Sequence, residues 1–504
     1  MAAHVPFVHA GNINATAKQR TLYQLKRIQK FLRRVSRHQF GGSEWGSTIR
    51  YNLPTPHPFI LTSDYKLGRH LLAGDHKSEP EKPYLLKILN LVDSQRYNLV
   101  SEKTANVERE KARKAIAPAF SLSNLQKTWP YTKQIIRDQF QEFDNLAVNN
   151  CNTRFDMRQV MVRFFLRTLT RGAFGIEFTT NGTVRDPKDH NVINGLEYLQ
   201  ELELAIREAV RQGTNPFRKW MFWDDNVKRA ATANKRLGEM VAKLLRLHHA
   251  RGTNDRSFSI LDHVAKHSYS SENARICDLN VLIFAAIDTT AFTFCFLLME
   301  LARHPEIKQK LQNALASVMP DRSDKSRPSL QETNGDHKEF TKADKELLTA
   351  INGVEYLGWC IKEIMRLWPV ASAGAQRELP EEIEHNGMLL PKGSLVIIHF
   401  FSVFRERWID RAEEFIPERW ADSNPQLPQL KEMFMPFSLG RRACLGQNMA
   451  TFQLRVVAAH FLHYYDFELV GEPQFEYFVT LKPFDLRMYV HKRSIDRVKC
   501  ELEE

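Results

Sequence analysis

The sequence lacks paired cysteines. Its six, at positions 151, 277, 295, 360, 444 and 500 of 504, lie far apart, and no CxxC occurs. That spacing excludes a disulfide framework and a zinc ribbon, and favours a reducing compartment. No apolar run near the N-terminus is long enough to span a bilayer. No Asp or Glu stands before Glu44. Internal repeats are absent too. A hydrophobic content of 43% with 26% charged residues excludes a disordered chain and a multi-span membrane protein.

What is present begins with charge. The formal net charge is +12. The excess is not a Lys/Arg tract interleaved with aromatics, so it suits an acidic protein partner or an anionic membrane surface better than nucleic acid. In "TLYQLKRIQKFLRRV", Leu22, Leu25, Ile28, Leu32 and Val35 share one helix face, and Lys26, Arg27, Lys30, Arg33 and Arg34 take the others. Residues 1–44 thus read as a basic segment with an amphipathic helix. It either packs as an ordinary surface helix, lies on a membrane, or belongs to an organellar import segment. The protein is expected to be soluble, peripheral or imported, without a transmembrane helix.

Two short β-type runs, "STIRYNLP" and "HPFILTS", read as a hairpin, and helical patterns dominate from about 64 to 375. The longest apolar stretch, "VLIFAAIDTTAFTFCFLLMEL" at 281–301, carries Asp288, Thr289 and Thr290 in its middle. It is read as a core helix with a polar notch, stopped before His304-Pro305. Residues 319–346 are polar and rich in Pro, Gly and Ser, which predicts a solvated insertion. Strand patterns occupy 387–400 and about 466–493, with a final helix after Cys444.

The loop "FSLGRRACLG", 437–446, places one cysteine among cations and glycines. Arg441, Arg442 and a helix start expected at Leu445 favour the thiolate, the form that binds metal. Gly440 and Gly446 permit close approach of a flat ligand, and Phe437 can pack on it. A lone cysteine is a poor zinc site but suits haem iron as a single axial ligand.

This loop resembles the haem-binding signature FxxGxRxCxG of the cytochrome P450 haem-thiolate monooxygenases, and Ala450 continues it. Other motifs follow in the family's order. "KEIMRLWP" is similar to the ExxR helix, with Glu363 and Arg366 at i, i+3. "FIPERW" is similar to its PERF/PERW element, whose Arg419 joins them in a buried network. "AAIDTT" resembles (A/G)Gx(D/E)T(T/S), except that Ala286 replaces the usual glycine. "EKARKAIAPAFS" is similar to the helix before the PAF segment, with Arg113 in the arginine place and Arg109 where tryptophan is expected.

The resemblance covers roughly 45–490. It implies a mainly α fold with a smaller β region, a long central helix across the haem, and one catalytic domain over 45–504. It implies haem b, with Cys444 as the iron ligand. Phe437, Gly440, Gly446 and Ala450 then cradle the group, and Ala285 and Ala286 border it. Arg442, Arg113 and Arg377 serve the propionates, while Arg109 either joins them or points to solvent. Asp288 and Thr289 pass protons to bound oxygen, with Thr289 bonded back to Ala285.

The implied function is a monooxygenase. One atom of O2 enters a small, largely hydrophobic substrate, and electrons come from a separate reductase or ferredoxin. Phe284, Val370, Ala371, Ala373 and Leu481 are candidate pocket residues. Arg96 and Lys482 either meet a substrate carboxylate or reach solvent, and Arg441 faces outward. Two alternatives share the loop: a haem-thiolate isomerase or dehydratase acting without O2, and a non-enzymatic haem sensor.

Overall fold

The computed structural model describes residues 48–51, 58–73, 98–103, 106–149, 153–179, 193–251, 259–320, 340–477 and 479–493. The expected amphipathic helix of 21–35 and the Arg96 position lie outside them.

Eleven helices of nine residues or more occur among these residues: α1 Tyr65–Ala73, α2 Val107–Ile116, α3 Trp129–Asn149, α4 Met157–Arg167, α5 Gly195–Thr214, α6 Asp225–Arg251, α7 Glu272–Arg303, α8 Pro305–Ala316, α9 Lys342–Gly353, α10 Glu355–Leu367 and α11 Gln447–Tyr464. Their ends follow local chemistry. Ser271 caps α7 by accepting the Ala274 amide, and Pro305 at the first position of α8 forces the break after His304. Thr341 and Asp344 form a capping box on α9. Residues 321–339 of the expected insertion lie outside the described residues, and this box makes 342–346 helical.

The hairpin is present. β1 Thr48–Tyr51 pairs antiparallel with β2 Phe59–Thr62, β2 pairs parallel with β9 Leu395–Ile398, and β9 pairs antiparallel with β6 Ala375–Glu378. A second sheet joins β3 Arg154–Asp156, β10 Tyr465–Leu469 and β13 Arg487–Lys492. Three two-stranded ribbons complete the strands: β4 Phe178–Thr179 with β5 Ile193–Asn194, β7 Ile383–His385 with β8 Met388–Leu390, and β11 Gln474–Tyr477 with β12 Leu481–Asp485. β3, β4 and β5 interrupt the stretch read as helical. They are two or three residues long, too short for a periodicity to register.

Three apolar clusters make the interior, and α7 runs through two. Ile276, Leu279, Ile283, Phe284 and Ile287 join a cluster with α5 and α6. Ala291, Phe292, Phe294, Phe296 and Leu297 join another with α3, α4, α10 and α11. The third holds α1 with residues of β2, β9 and β6. The notch at 288–290 falls between the first two. α7 is the one helix among the described residues long and apolar enough to cross a membrane, and most of its apolar window is buried against other helices.

The α5–α6 connection is braced from within. Arg218 forks onto Glu208 at 2.9 Å twice and reaches Asp224 at 3.3 Å. Outward from this brace stand Phe217, Trp220, Phe222 and Trp223, at 71%, 66%, 75% and 61% exposure.

Candidate functional site

The Cys444 loop is folded by its own backbone. The Cys444 amide donates to the Phe437 carbonyl at 2.8 Å, a short 3-10 turn spans Gly440–Arg442, and α11 starts at Gln447 with Gly446 as N-cap. The helix therefore begins two residues later than expected at Leu445, with Gly446 as the N-cap. Ala450 sits half-buried in the first turn of α11, its amide bonded to Gly446 O at 2.9 Å. The Cys444 thiol is exposed and in no disulfide, whereas Cys277, Cys295 and Cys360 are buried.

The two loop glycines have different causes. Gly440 has φ +68°, and a Cβ there would lie 2.3 Å from the Leu72 carbonyl of α1. Its positive φ and that close approach both require glycine, which accords with a backbone conformation that a Cβ would obstruct. Gly446 has an ordinary negative φ, and a Cβ there would meet only Cys444 Sγ at 3.9 Å and Phe120 at 4.0 Å. The protein itself does not demand this glycine, so the space beside the thiol is available to another group.

The arginines surround this space. Arg113 Nη2 donates to Ala443 O at 2.7 Å. Burial pulls its proton affinity down, and the Cys444 sulfur pushes it back up. Arg442 is buried and donates to Glu102 O. Arg377 is buried on β6, with Nη1 on Gln376 O at 2.9 Å. Arg109 is buried rather than solvent-facing: Nε meets Leu99 O and Nη2 meets Arg441 O, each at 3.4 Å. Arg441 is exposed and pairs with Glu110 at 3.3 Å, as the outward reading expected.

Leu445 and Met449 share an apolar cluster with Phe284, Ala286 and Ile287, which brings the loop beside the notch of α7. There Ala285 is exposed between the buried Phe284 and the half-buried Ala286. Thr289 Oγ1 donates to Ala285 O at 2.8 Å, the expected bond, and Thr293 Oγ1 repeats it onto Thr289 O at 2.7 Å. Asp288 is half-buried. Desolvation pushes its carboxyl up to about 6; Lys482 pulls it down, Glu203 pushes it up and Arg158 pulls it down. These three come from α5, α4 and β12, and nothing in the local sequence signals them. Lys482 itself pairs with Glu476 at 3.5 Å, and Glu476 with Arg207 at 3.2 Å, so Lys482 neither stands free for a substrate carboxylate nor reaches solvent.

Val370, Ala371 and Ala373 are half-buried just before β6. Phe284 is buried on α7. Leu481 is buried in the core, its amide on Val370 O at 2.7 Å.

Behind the loop, Glu363 and Arg366 are both 0% exposed. Arg366 Nε and Nη2 fork onto the Glu363 carboxylate at 2.9 and 2.8 Å, and its remaining N–H groups reach Phe404 O, Ala412 O and Glu414 O. Arg419 Nε adds a bond to Glu363 at 3.1 Å. Two donors were not foreseen: Trp420 Nε1 at 3.0 Å and the Ile416 amide at 3.1 Å. The tryptophan closing "PERW" was the available signal.

A mainly helical molecule with an exposed thiol in a glycine loop, cations around it and a notched helix beside it defines a haem-thiolate protein. The chain belongs to the cytochrome P450 family: the model for "Cytochrome P450" matches residues 43–483. Relatives include human cytochrome P450 3A5, 29% identical over 38% of this chain and 34% of that protein. Another is CYP736A12 of Panax ginseng, 31% identical over 37% and 34%. Cytochrome P450 3A9 of Rattus norvegicus is 23% identical over 73% and 69%. With the human and ginseng relatives the match spans about a third of their length. The crystal structure of a cytochrome P450 (CYP102L1) superposes with a TM-score of 0.73 at 21% identity, covering 93% of this chain and 98% of that one, and shares the fold.

Proposed function

We propose that this chain is a haem-dependent monooxygenase that inserts one oxygen atom of O2 into a small, largely hydrophobic organic molecule, using electrons from a separate reductase or ferredoxin. The observation that carries the reading is the exposed Cys444 thiol beside a space that Gly446 leaves open. These residues fit haem b. Cys444 would ligate the iron, with Phe437, Gly446, Ala450 and Ala285 around the ring. Arg113, Arg377 and Arg442 would meet its carboxylates. Bound there, the haem supplies O2 activation, and the thiolate favours O–O cleavage.

This chain's own side chains do the rest. Asp288, its carboxyl pushed up to about 6 by burial, takes up and releases a proton closer to neutral pH than an ordinary aspartate and can pass it inward. Thr289 spends its hydroxyl proton on Ala285 O, which leaves its oxygen lone pairs to accept. Ala286 adds a methyl where the family usually has none, narrowing the groove. Phe284, Val370, Ala371 and Ala373 give the pocket an apolar wall that excludes water. A haem-thiolate isomerase or a haem sensor has no use for a proton-holding carboxyl, so the Asp288–Thr289 pair supports the oxygenase over both.

We read residues 45–504 as one catalytic unit with a peripheral membrane contact. Phe217, Trp220, Phe222 and Trp223 support that contact, since exposed Trp and Phe on a braced loop suit the interfacial layer of a bilayer.

Two measurements test the function. The reduced protein with carbon monoxide is expected to give the red-shifted Soret band of thiolate ligation, lost in Cys444→Ala. Turnover under labelled O2 with NAD(P)H and a reductase is expected to place one labelled atom in product. An unchanged Soret band in Cys444→Ala, or unlabelled product, overturns the reading.

A further inference from the structure

Arg109 occupies the place where the family has tryptophan, and its surroundings differ from those of Arg113 one turn later. Its guanidinium bridges two backbone carbonyls, Leu99 O and Arg441 O. Leu99 lies in a turn wound on itself. Asn98 Oδ1 accepts the Val100 and Ser101 amides at 3.0 Å, Ser101 Oγ accepts the Asn98 amide at 3.0 Å, and the Glu102 amide reaches Asn98 O at 2.9 Å. The Leu99 amide then donates outward to Asp278 Oδ1 of α7 at 2.6 Å. Arg442 holds the far end of the turn through Glu102 O.

The 98–102 turn is thus held from three sides: α7, α2 and the Cys444 loop. Leu99 packs in the cluster that contains Phe284 and Ile287. Asp278 is buried, and a buried carboxylate is tolerated when a cation and donors face it. Arg109 supplies the cation and the Leu99 amide the donor, and Glu102 opposes them. The guanidinium carries its donors on separate nitrogens, so Nε and Nη2 reach carbonyls on two segments, whereas a lysine ammonium would have to meet both from a single nitrogen.

We propose that Arg109 and Asp278 are positioning residues, which fix the 98–102 turn between α7 and the Cys444 loop as a rigid wall of the substrate pocket, and that Arg109 does not serve the haem carboxylates. The proposal rests on the haem-thiolate reading only for the location of the pocket.

The test uses the haem-loaded protein and the variants Arg109→Met, Arg109→Lys, Asp278→Ala, Arg113→Met and Arg442→Met. Deuterium uptake over residues 98–103 is expected to rise by about tenfold or more in Arg109→Met and Asp278→Ala. Affinity for 4-phenylimidazole, read from the Soret shift, is expected to fall by about tenfold in the same two, while affinity for imidazole, which does not reach the wall, stays unchanged. Haem loss to a scavenging apoprotein is expected to quicken in Arg113→Met and Arg442→Met but not in Arg109→Met. Unchanged deuterium uptake in Arg109→Met overturns the proposal, and faster haem loss from that variant overturns its second half. Should Arg109→Met not load haem, Arg109→Lys decides in the same way: raised uptake with unchanged haem loss supports the anchor, and unchanged uptake overturns it. Neither exchange nor azole binding requires oxygenation, so failure here and failure of the monooxygenase reading are distinguishable.

Discussion

Two carboxylates on two helices of this molecule, one fully buried and one half-buried, have opposite surroundings. Glu363 on α10 receives five hydrogen bonds, from Arg366, Arg419, Trp420 and the Ile416 amide. Asp288 on α7 sits beside Lys482 and Arg158 without an ion pair to either, while Glu203 opposes it. The first is a fully satisfied ion held for shape. The second is an ion the fold makes expensive, whose proton is therefore available for use. What separates scaffold from chemistry here is how completely a charge is answered, more than which residue carries it.

The strongest way to break the comparison is to unbalance the satisfied side. Glu363→Ala would strand Arg366 and Arg419 in the interior, at a cost of about 3–5 kcal/mol and loss of haem-loaded protein on expression. Urea unfolding of whatever folds gives the magnitude, and a loss below about 1 kcal/mol would mean the network is not a brace.

On the other side the sign reverses. The Asp288 carboxyl binds its proton more tightly folded, at about 6, than in an unfolded chain. Stability therefore falls as pH rises from about 4 to 6, and the ionisation cost is fully present above that. Asp288→Asn is expected to match the wild type near pH 4 and to exceed it at pH 7 by about 1–3 kcal/mol. Its turnover should fall by about a hundredfold. Urea midpoints at both pH values, with product rates, check this. A variant less stable at pH 7 would contradict the assignment.

The smallest effect sharpens the contrast within the Cys444 loop. Gly446→Ala meets only ordinary contacts, so the global stability change should stay within about 0.5 kcal/mol while haem retention weakens. Thermal melts and haem-loss rates separate the two readouts.

Much of this was legible in the sequence because it is local. The Cys444 loop, the notch with its Thr289–Ala285 bond, the Glu363–Arg366 spacing and the β1–β2 hairpin each depend on residues a few positions apart. What escaped is long-range. Leu72 O, which requires Gly440, is 368 positions from it in the chain numbering. Lys482, Glu203 and Arg158 meet Asp288 only through tertiary packing, as does Asp278 with the Leu99 amide. The start of α11 at Gln447 differs from the expected Leu445 by two residues, the ordinary variation at a helix end.

The passage of α7 through two apolar clusters has a mechanical consequence. A rod shared by two halves cannot be released from one while it remains ordered in the other. Melting should then be concerted, with calorimetric and van't Hoff enthalpies agreeing across the haem-loaded molecule instead of resolving into separate steps.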